Sequence, residues 1–302
     1  MTKTDEIIKK IADKFIAKIN NFAGEWERPF FDTTTAAPRN VASKKLYRGL
    51  NLVTLWLTAE ENKFTSNIWG TFDQWKEKGK SIRKGETGTP IFFWKKTQYT
   101  AEVTNESGEI ELEERESCVA RYYIVFNACQ MADYIPEEAE AAPEDLEREI
   151  EEFKTNFLNK TGIKYTEEGT RAFYRPKTDE VVLPPLTNFS LKSEYIPTAC
   201  HEFTHATGAK TRLNRDFSGK FGDAAYAFEE LVADIGAGML SAALGKQYIF
   251  QNNNIAYLKS WVEILEDQPK AILKACSYAQ KAADYLLELT ETETTALENI
   301  EL

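Results

Sequence analysis

Both histidines of the chain lie four residues apart in one short motif, His201-Glu202-Phe203-Thr204-His205. Four residues make about one helical turn, so the two imidazoles share a helix face and can bind one metal ion. Glu202 offers a carboxylate that could take a proton from a water molecule on that metal. The motif therefore predicts a hydrolytic metal site. The competing interpretation is a surface helix that happens to carry two histidines.

A third ligand is expected on the next predicted helix. A catalytic zinc site takes three protein ligands and leaves one position open for water, so we expect Zn(II) here. Glu230 and Asp234 lie one turn apart, which lets Glu230 bind the metal while Asp234 accepts a hydrogen bond from a liganding histidine. Glu229 is the competing ligand. Because no third histidine exists, Tyr174 or Tyr226 is a candidate to stabilise an oxyanion.

The elements that must position these residues are also recognisable. The metal helix is predicted to begin near Pro197 and to end at Gly208, and the ligand helix to span 224–244. Small residues on the ligand helix allow the two helices to pack closely: Ala233, Gly236, Ala237 and Gly238. Residues 171–185 predict two short strands, and the prolines at their far end favour an edge strand that could pair with an extended peptide.

Composition is typical of a globular protein, with 42% hydrophobic and 28% charged residues in a chain of 302. The sequence has no apolar run of membrane-spanning length and its first residues do not form a signal peptide. We therefore expect a cytoplasmic protein without a membrane partner. Four scattered cysteines have neither disulfide nor metal-ligand spacing, so reduced thiols are expected: Cys118, Cys129, Cys200 and Cys276.

Charge divides the chain into two parts. Residues 1–130 contain 20 Lys+Arg against 18 Asp+Glu, whereas the remainder contains 17 against 30. Residues 135–144 contain two prolines and no large aromatic side chain, which predicts a linker between domains at 1–134 and 145–302. An acidic hairpin over 99–116 would repel phosphates and is expected away from any nucleic-acid surface.

Five of the six tryptophans precede residue 95, in the same part of the chain as the basic charge. Cations along phosphates and flat rings under unstacked bases are what hold single-stranded DNA. The candidate DNA-binding residues are Trp26, Lys44, Lys45, Tyr47, Arg48, Asn51, Trp69, Lys80, Arg83 and Lys84. The alternatives are that most tryptophans form the core of a small domain, or that the basic part binds protein.

Longer motifs carry a family resemblance. The histidine motif followed by Glu230 and Asp234 resembles the gluzincin metallopeptidases. Over nearly the whole chain, the sequence resembles the ArdC antirestriction proteins through the motifs Tyr47-Arg48-Gly49-x-Asn51, Trp69-x-Thr71, Ile82-Arg83-Lys84-Gly85-Glu86, Arg212-Leu213-Asn214-Arg215 and Tyr226-Ala227-x-Glu229-Glu230. The acidic hairpin departs from the ArdC pattern. Asp234 is a second departure, because glutamate is expected about as often as aspartate at that position.

The resemblance implies an α+β fold of two domains: an N-terminal α+β module that binds single-stranded DNA, and a mainly helical zincin-like domain. It also implies a protein of a mobile genetic element that protects incoming DNA from restriction. Two functions are open. The first is a zinc metallopeptidase acting on a protein substrate, including one bound to DNA, with Glu202 as general base. The second is a DNA-coating protein whose metal site is structural or inactive.

Overall fold

The computed structural model describes residues 2–22, 37–104, 110–136, 145–216, 224–246 and 255–290. Its helices are α1 (Lys3–Phe22), α2 (Gly49–Glu61), α3 (Phe72–Glu77), α4 (Leu146–Asn156), α5 (Tyr195–Thr207), α6 (Ala224–Ala243), α7 (Ile255–Asp267) and α8 (Ala271–Thr290). Its strands are β1 (Arg39–Asn40), β2 (Ile68–Thr71), β3 (Thr89–Thr104), β4 (Ile110–Asn127), β5 (Lys164–Glu167), β6 (Phe173–Arg175) and β7 (Glu180–Leu183). This mixture confirms the predicted α+β class.

The N-terminal sheet has the strand order β1-β2-β4-β3, with β3 and β4 paired as a long antiparallel ribbon. Helix α2 covers the sheet, because its Leu55 joins Trp69 and Val125 in one buried cluster. The Asn51 side chain caps the β3 edge: its amide donates to the Phe92 carbonyl at 2.7 Å, and its oxygen accepts from the Phe92 N–H at 2.7 Å. Both polar groups of this edge peptide are therefore satisfied from α2.

The second sheet has the order β5-β7-β6 and lies against α5. The two short strands predicted over 171–185 are confirmed as β6 and β7. The prediction of an edge strand from the prolines is wrong for β7, which is the middle strand; β6 is an edge strand. The reason is that Pro184 and Pro185 follow Leu183, the last residue of β7, so they remove no hydrogen bond from the ladder.

The main hydrophobic core spans both parts of the chain. Ile8 and Phe15 of α1 belong to the same buried cluster as Trp56 of α2, Trp261 of α7 and Leu286 of α8. The N-terminal helices therefore pack on the C-terminal helices. The division at 134 and 145 stays a prediction, since most of the predicted linker lies outside the described residues.

A polar contact joins the same two parts beside this core. Arg48 forms an ion pair with Asp284 of α8, and the Gly49 N–H donates to the Gln280 side chain at 2.9 Å. Among the described helices, none combines the length and apolarity needed to cross a bilayer. Of the cysteines whose side chains the structure describes, Cys129, Cys200 and Cys276 are free thiols.

Candidate metal centre and nucleic-acid surface

Three side chains from α5 and α6 converge on one point. The potential ligand atoms of His201, His205 and Glu230 all lie within 4.8 Å of one another. The two histidine Nε2 atoms are 3.1 Å apart. One Glu230 carboxylate oxygen, Oε2, lies 3.5 Å from the His201 Nε2, and the other, Oε1, lies 3.5 Å from the His205 Nε2. Around an ion with ligand bonds of about 2.0–2.1 Å, tetrahedral geometry separates neighbouring ligand atoms by about 3.3–3.4 Å. The donor triangle therefore has the size that one small divalent ion requires.

Close packing of α5 against α6 makes this convergence possible. Ala199 and Phe203 are fully buried on α5 and anchor it in the core. On α6, a Cβ at Gly236 would stand 2.6 Å from Cγ2 of Thr204, which is well inside contact distance. Only glycine at position 236 therefore permits the observed spacing of the two helices. Among the small residues predicted on α6, Gly236 is one that allows α5 and α6 to pack this closely.

Each histidine is oriented by a carboxylate from α6. The His201 Nδ1 atom lies 2.9 Å from Asp234 Oδ1, and the His205 Nδ1 atom lies 3.2 Å from Glu229 Oε1. An Nδ1–H that donates to a carboxylate leaves the Nε2 lone pair directed at the metal position. Asp234 thus stands where a histidine-orienting residue is needed. Glu229 contacts His205 from behind, and Glu230 alone of the two glutamates faces both Nε2 atoms.

Arg215 fixes the Glu229 carboxylate, a role that sequence reasoning missed. Its Nη2 lies 2.7 Å from Glu229 Oε1 and its Nε lies 2.9 Å from Oε2. The same guanidinium donates to the Thr204 carbonyl and to the Thr207 hydroxyl, each at 2.7 Å. The Arg215 side chain is only 4% exposed. A signal was available, because a buried carboxylate behind a ligand needs a cationic partner.

The site concentrates opposite charges in a buried volume. Burial alone would lower the pKa of His201, but the Asp234 carboxylate raises it well above its ordinary value. Burial would likewise lower the pKa of His205, but the Glu230 carboxylate raises it to about 9. Burial would raise the pKa of Glu230, yet the two imidazoles hold it far below its ordinary value. Without a metal ion, protons on the imidazoles therefore balance the carboxylates.

Glu202 lies between the metal ligands and the edge strand β6. It is 8% exposed, and burial together with the Glu230 charge raises its pKa above the ordinary value for a glutamate. The Tyr174 backbone N–H donates a hydrogen bond to it and partly opposes that increase. A carboxylate with a raised pKa beside the ligands is suited to accept and return a proton near neutral pH.

The two tyrosines considered for an oxyanion contact differ in their surroundings. The Tyr174 hydroxyl donates to Asp179 Oδ1 at 2.8 Å, and Asp179 in turn pairs with Arg212. Burial and this contact raise the pKa of Tyr174 to about 12. Tyr226 is half-buried and precedes Glu230 by one turn of α6. Both tyrosines stay predictions for the oxyanion contact.

Four of the predicted DNA-binding residues make contacts within the protein. Tyr47 and Trp69 are buried in the small core under α2, so neither ring is exposed to a base. Arg48 pairs with Asp284, and Asn51 binds the edge peptide of β3. Trp26 lies outside the described residues. The signal that misled was local composition, which does not separate a core ring from a surface ring.

The predicted lysines and Arg83 lie at the surface of the N-terminal part. Lys80 pairs with Asp133, and Arg83 pairs with Glu86. Within the described part of the chain, three of the candidates have no carboxylate within 4 Å: Lys44, Lys45 and Lys84. These three stay predictions for phosphate contact.

Comparisons with known proteins agree with both halves of this description. Residues 5–126 match the family described as the N-terminal domain of anti-restriction factor ArdC, and residues 152–278 match a zincin-like metallopeptidase family. The chain is 37% identical over 287 residues to the uncharacterized protein y4eC of Sinorhizobium fredii, covering 94% of this chain and 92% of that protein. It is 29% identical to DNA primase TraC of Escherichia coli, over 94% of this chain and only 20% of TraC.

Solved structures identify the fold of the whole chain. The metal-free crystal structure of the antirestriction protein ArdC from the R388 plasmid matches with a TM-score of 0.70 and 37% identity, covering 94% of this chain and 97% of that one. Its Mn(II)-bound form matches with a TM-score of 0.69 and 34% identity. A metal-bound relative and the donor triangle together support a divalent ion in this site. With these two domains in this order, the chain belongs to the ArdC family of antirestriction proteins.

Proposed function

We propose that this protein is a single-stranded-DNA-binding antirestriction protein whose second domain is a zinc metallopeptidase. The observation that carries the peptidase half is the triangle formed by His201, His205 and Glu230, whose ligand atoms all lie within 4.8 Å of one another. A buried carboxylate, Glu202, stands beside this triangle and is not part of it. Ligands plus a separate base are what metal-assisted hydrolysis needs.

The donor set favours Zn(II). Two imidazoles and one carboxylate accept several divalent ions, but nitrogen and oxygen donors bind Zn(II) more tightly than Mn(II). When bound, the ion would supply Lewis acidity and lower the pKa of a water molecule to about 7. Competition between the two ions for the purified protein tests this choice: we expect Zn(II) to displace Mn(II), and the reverse order would contradict it.

Glu202 performs the proton transfers in this proposal. It accepts a proton from the attacking water and delivers it to the leaving amine of the peptide. The Tyr174 N–H that binds Glu202 holds the carboxylate beside the β6 edge. An extended peptide pairing with that edge would bring its scissile bond close to the base.

The N-terminal part provides the DNA-binding half. Support comes from the matching ArdC N-terminal domain and from exposed cations that have no carboxylate partner among the described residues, such as Lys44 and Lys84. We assign the activity to the cytoplasm, where incoming DNA meets restriction enzymes. The substrate of the peptidase is a protein, including one bound to the same DNA.

The decisive experiment compares the full chain with its Glu202→Gln variant. Hydrolysis of an unfolded protein is followed with and without single-stranded DNA, and metal content is measured in parallel. We expect unchanged metal content and a loss of hydrolysis by about 10²–10⁴-fold, the usual contribution of a general base. Glu152→Gln, an exposed residue on α4, is the matched control and should stay active.

Two outcomes would overturn the peptidase half. Equal cleavage by the wild type and the Glu202→Gln variant would remove Glu202 from the chemistry. Bound metal without any cleavage, combined with full protection of incoming DNA by the Glu202→Gln variant, would favour a DNA-coating protein with a structural metal site.

A further inference from the structure

A cavity of about 400 Å³ opens in the N-terminal part, away from the metal site. It lies between β2, the start of α3 and the β3–β4 ribbon. Its volume falls in the range of about 300–1,000 Å³ that is typical of small-molecule pockets rather than of flat surfaces. Tyr47, one of the aromatic residues proposed from the sequence, lines this cavity, but its side chain is buried in the small core.

Three aromatic rings stand exposed around the cavity. Phe93 is 36% exposed, Trp94 is 49% exposed and Tyr123 is 44% exposed. The rings of Phe93 and Tyr123 meet edge to face, with centroids 5.3 Å apart. Large exposed aromatic side chains in one place indicate a surface that something covers.

Two cations share the sheet face with Phe93 and Tyr123. The register pairs Phe93 with Arg121 and Ile91 with Tyr123, and side chains alternate along each strand. Phe93, Arg121 and Tyr123 therefore project from one face, and Lys95 follows on the same face. In the described part of the chain, neither Lys95 nor Arg121 has a carboxylate within 4 Å, in contrast to Lys80 and Arg83. Within the described ranges, both charges are therefore open to an anionic ligand.

The floor of the cavity is polar. Asn40 donates to the Tyr47 hydroxyl at 2.9 Å and to the Gln74 side chain at 3.1 Å, and all three line the cavity. A wholly apolar ligand would leave such amide groups without water. Aromatic walls, a hydrogen-bonding floor and cations at the rim together match a flat, polar-edged ring that carries a phosphate.

We propose that this cavity binds one unstacked nucleobase of single-stranded DNA, with the adjoining phosphates on Lys95 and Arg121. This inference rests on the proposed DNA binding and adds a base-recognising site to it. The strand would then be held by a ring contact as well as by charge. Abolishing the ring contact should leave only binding that depends on phosphates.

The first test compares two oligonucleotides of equal length and charge by fluorescence anisotropy with the full chain. One is oligothymidylate and the other carries abasic positions throughout. Loss of one base–aromatic contact weakens binding by about five- to a hundred-fold, so we expect that preference for the intact strand. Phe93→Ala and Tyr123→Ala should reduce the preference, whereas Tyr99→Ala should keep it. Tyr99 is the matched control, because it is 49% exposed on the acidic far half of the same ribbon.

The outcomes separate this inference from the function on which it rests. Equal affinity for both strands would overturn the nucleobase pocket and leave DNA binding intact. Failure of both strands to bind would overturn the pocket and the DNA-binding proposal together. Circular dichroism of each variant shows that it is folded.

The second test maps the contact directly and needs no variant. An oligonucleotide containing 5-iododeoxyuridine is cross-linked to the protein by light, and the modified peptides are sequenced by mass spectrometry. We expect adducts on Phe93, Trp94 or Tyr123. Adducts confined to other exposed rings, such as Phe72, which is 58% exposed outside the cavity, would contradict the proposal.

Discussion

The Arg215 guanidinium holds the Glu229 carboxylate at two points, 2.7 and 2.9 Å, and Glu229 in turn contacts the Nδ1 atom of His205. A buried arginine therefore helps to fix His205, a proposed metal ligand, through Glu229. The other histidine, His201, is oriented by Asp234, whose Oδ1 lies 2.9 Å from the His201 Nδ1. Each imidazole thus has its own orienting carboxylate, and each contact can be tested.

Arg215→Lys should weaken metal binding. Lysine keeps the charge but cannot make the two-point contact with Glu229, so the His205 ring loses its fixed orientation. Changes to such supporting groups usually cost about 10–100-fold in metal affinity, and we expect a value in that range. Competition with a fluorescent chelator measures it. Arg212→Lys is the control, because Arg212 pairs with Asp179 instead; an unchanged affinity in Arg215→Lys would refute the positioning role.

Gly236→Ala should push α5 and α6 apart. The new methyl would meet Cγ2 of Thr204, and overpacking of this kind costs about 1–3 kcal/mol. Both the free energy of unfolding in urea and the metal affinity should fall, since Glu230 lies on the displaced helix. Adding Thr204→Ser removes the clashing methyl and keeps the hydroxyl that donates to the Cys200 carbonyl. The double variant should recover much of the loss, and no recovery would show that the helix contact is not the cause.

Metal binding should release protons in a pH-dependent way. Ligand imidazoles must be neutral, yet in the metal-free protein the pKa of His205 is raised to about 9 and that of His201 is raised well above its ordinary value. At pH 7 we therefore expect more than one proton to leave per ion bound. Titration calorimetry in two buffers of different ionisation enthalpy counts them. Release of no protons at pH 7 would contradict the raised pKa values.

The same shifts predict how the metal-free protein responds to pH. A histidine whose pKa is raised on folding stabilises the fold fully below its unfolded pKa of about 6.5. That contribution is lost as the pH rises through the folded value, which is about 9 for His205. Thermal unfolding of chelated protein should thus show stability falling between these values. Bound metal should remove this dependence, because it replaces the protons.

Asn51→Ala should destabilise the fold without changing DNA contacts. It removes the only side chain that the described structure places on both polar groups of the Phe92 peptide. Leaving these groups unpaired costs about 1–3 kcal/mol, measurable by urea unfolding. Asn62→Ala, at the exposed end of α2, is the control. A stable Asn51→Ala protein with weakened DNA binding would restore Asn51 as a DNA contact.

Spacing alone predicted which side chains of α5 and α6 the structure brings together. His201 and His205 had to share a helix face, and the one-turn spacing of Glu230 and Asp234 separated a ligand from a supporting residue. The role of Glu229 needed coordinates, because neighbouring residues on a helix point about 100° apart and only packing decides which one faces the ion. For Arg215 the sequence offered only the expectation of a cationic partner for a buried carboxylate; which cation fills that role required the coordinates.

The N-terminal surface was harder to predict, because amino-acid composition does not show whether a side chain is buried. Trp69 of β2 and Phe93 of β3 are both aromatic strand residues, yet Trp69 is fully buried and Phe93 is 36% exposed. The contact of Arg48 with Asp284 joins residues more than 200 positions apart and has no local signature. Strand alternation could have grouped Phe93 with Lys95, but the register with Arg121 and Tyr123 required the sheet.

Anomalous diffraction from metal-loaded crystals of the full chain tests the central claim most directly. Data collected at the absorption edge of the bound metal would locate the ion without assumptions about its ligands. We predict one peak bonded to Nε2 of His201, Nε2 of His205 and the Glu230 carboxylate, with Glu202 nearby but unbonded. A peak at any other position, or one in which Glu229 replaces Glu230 as ligand, would contradict the account.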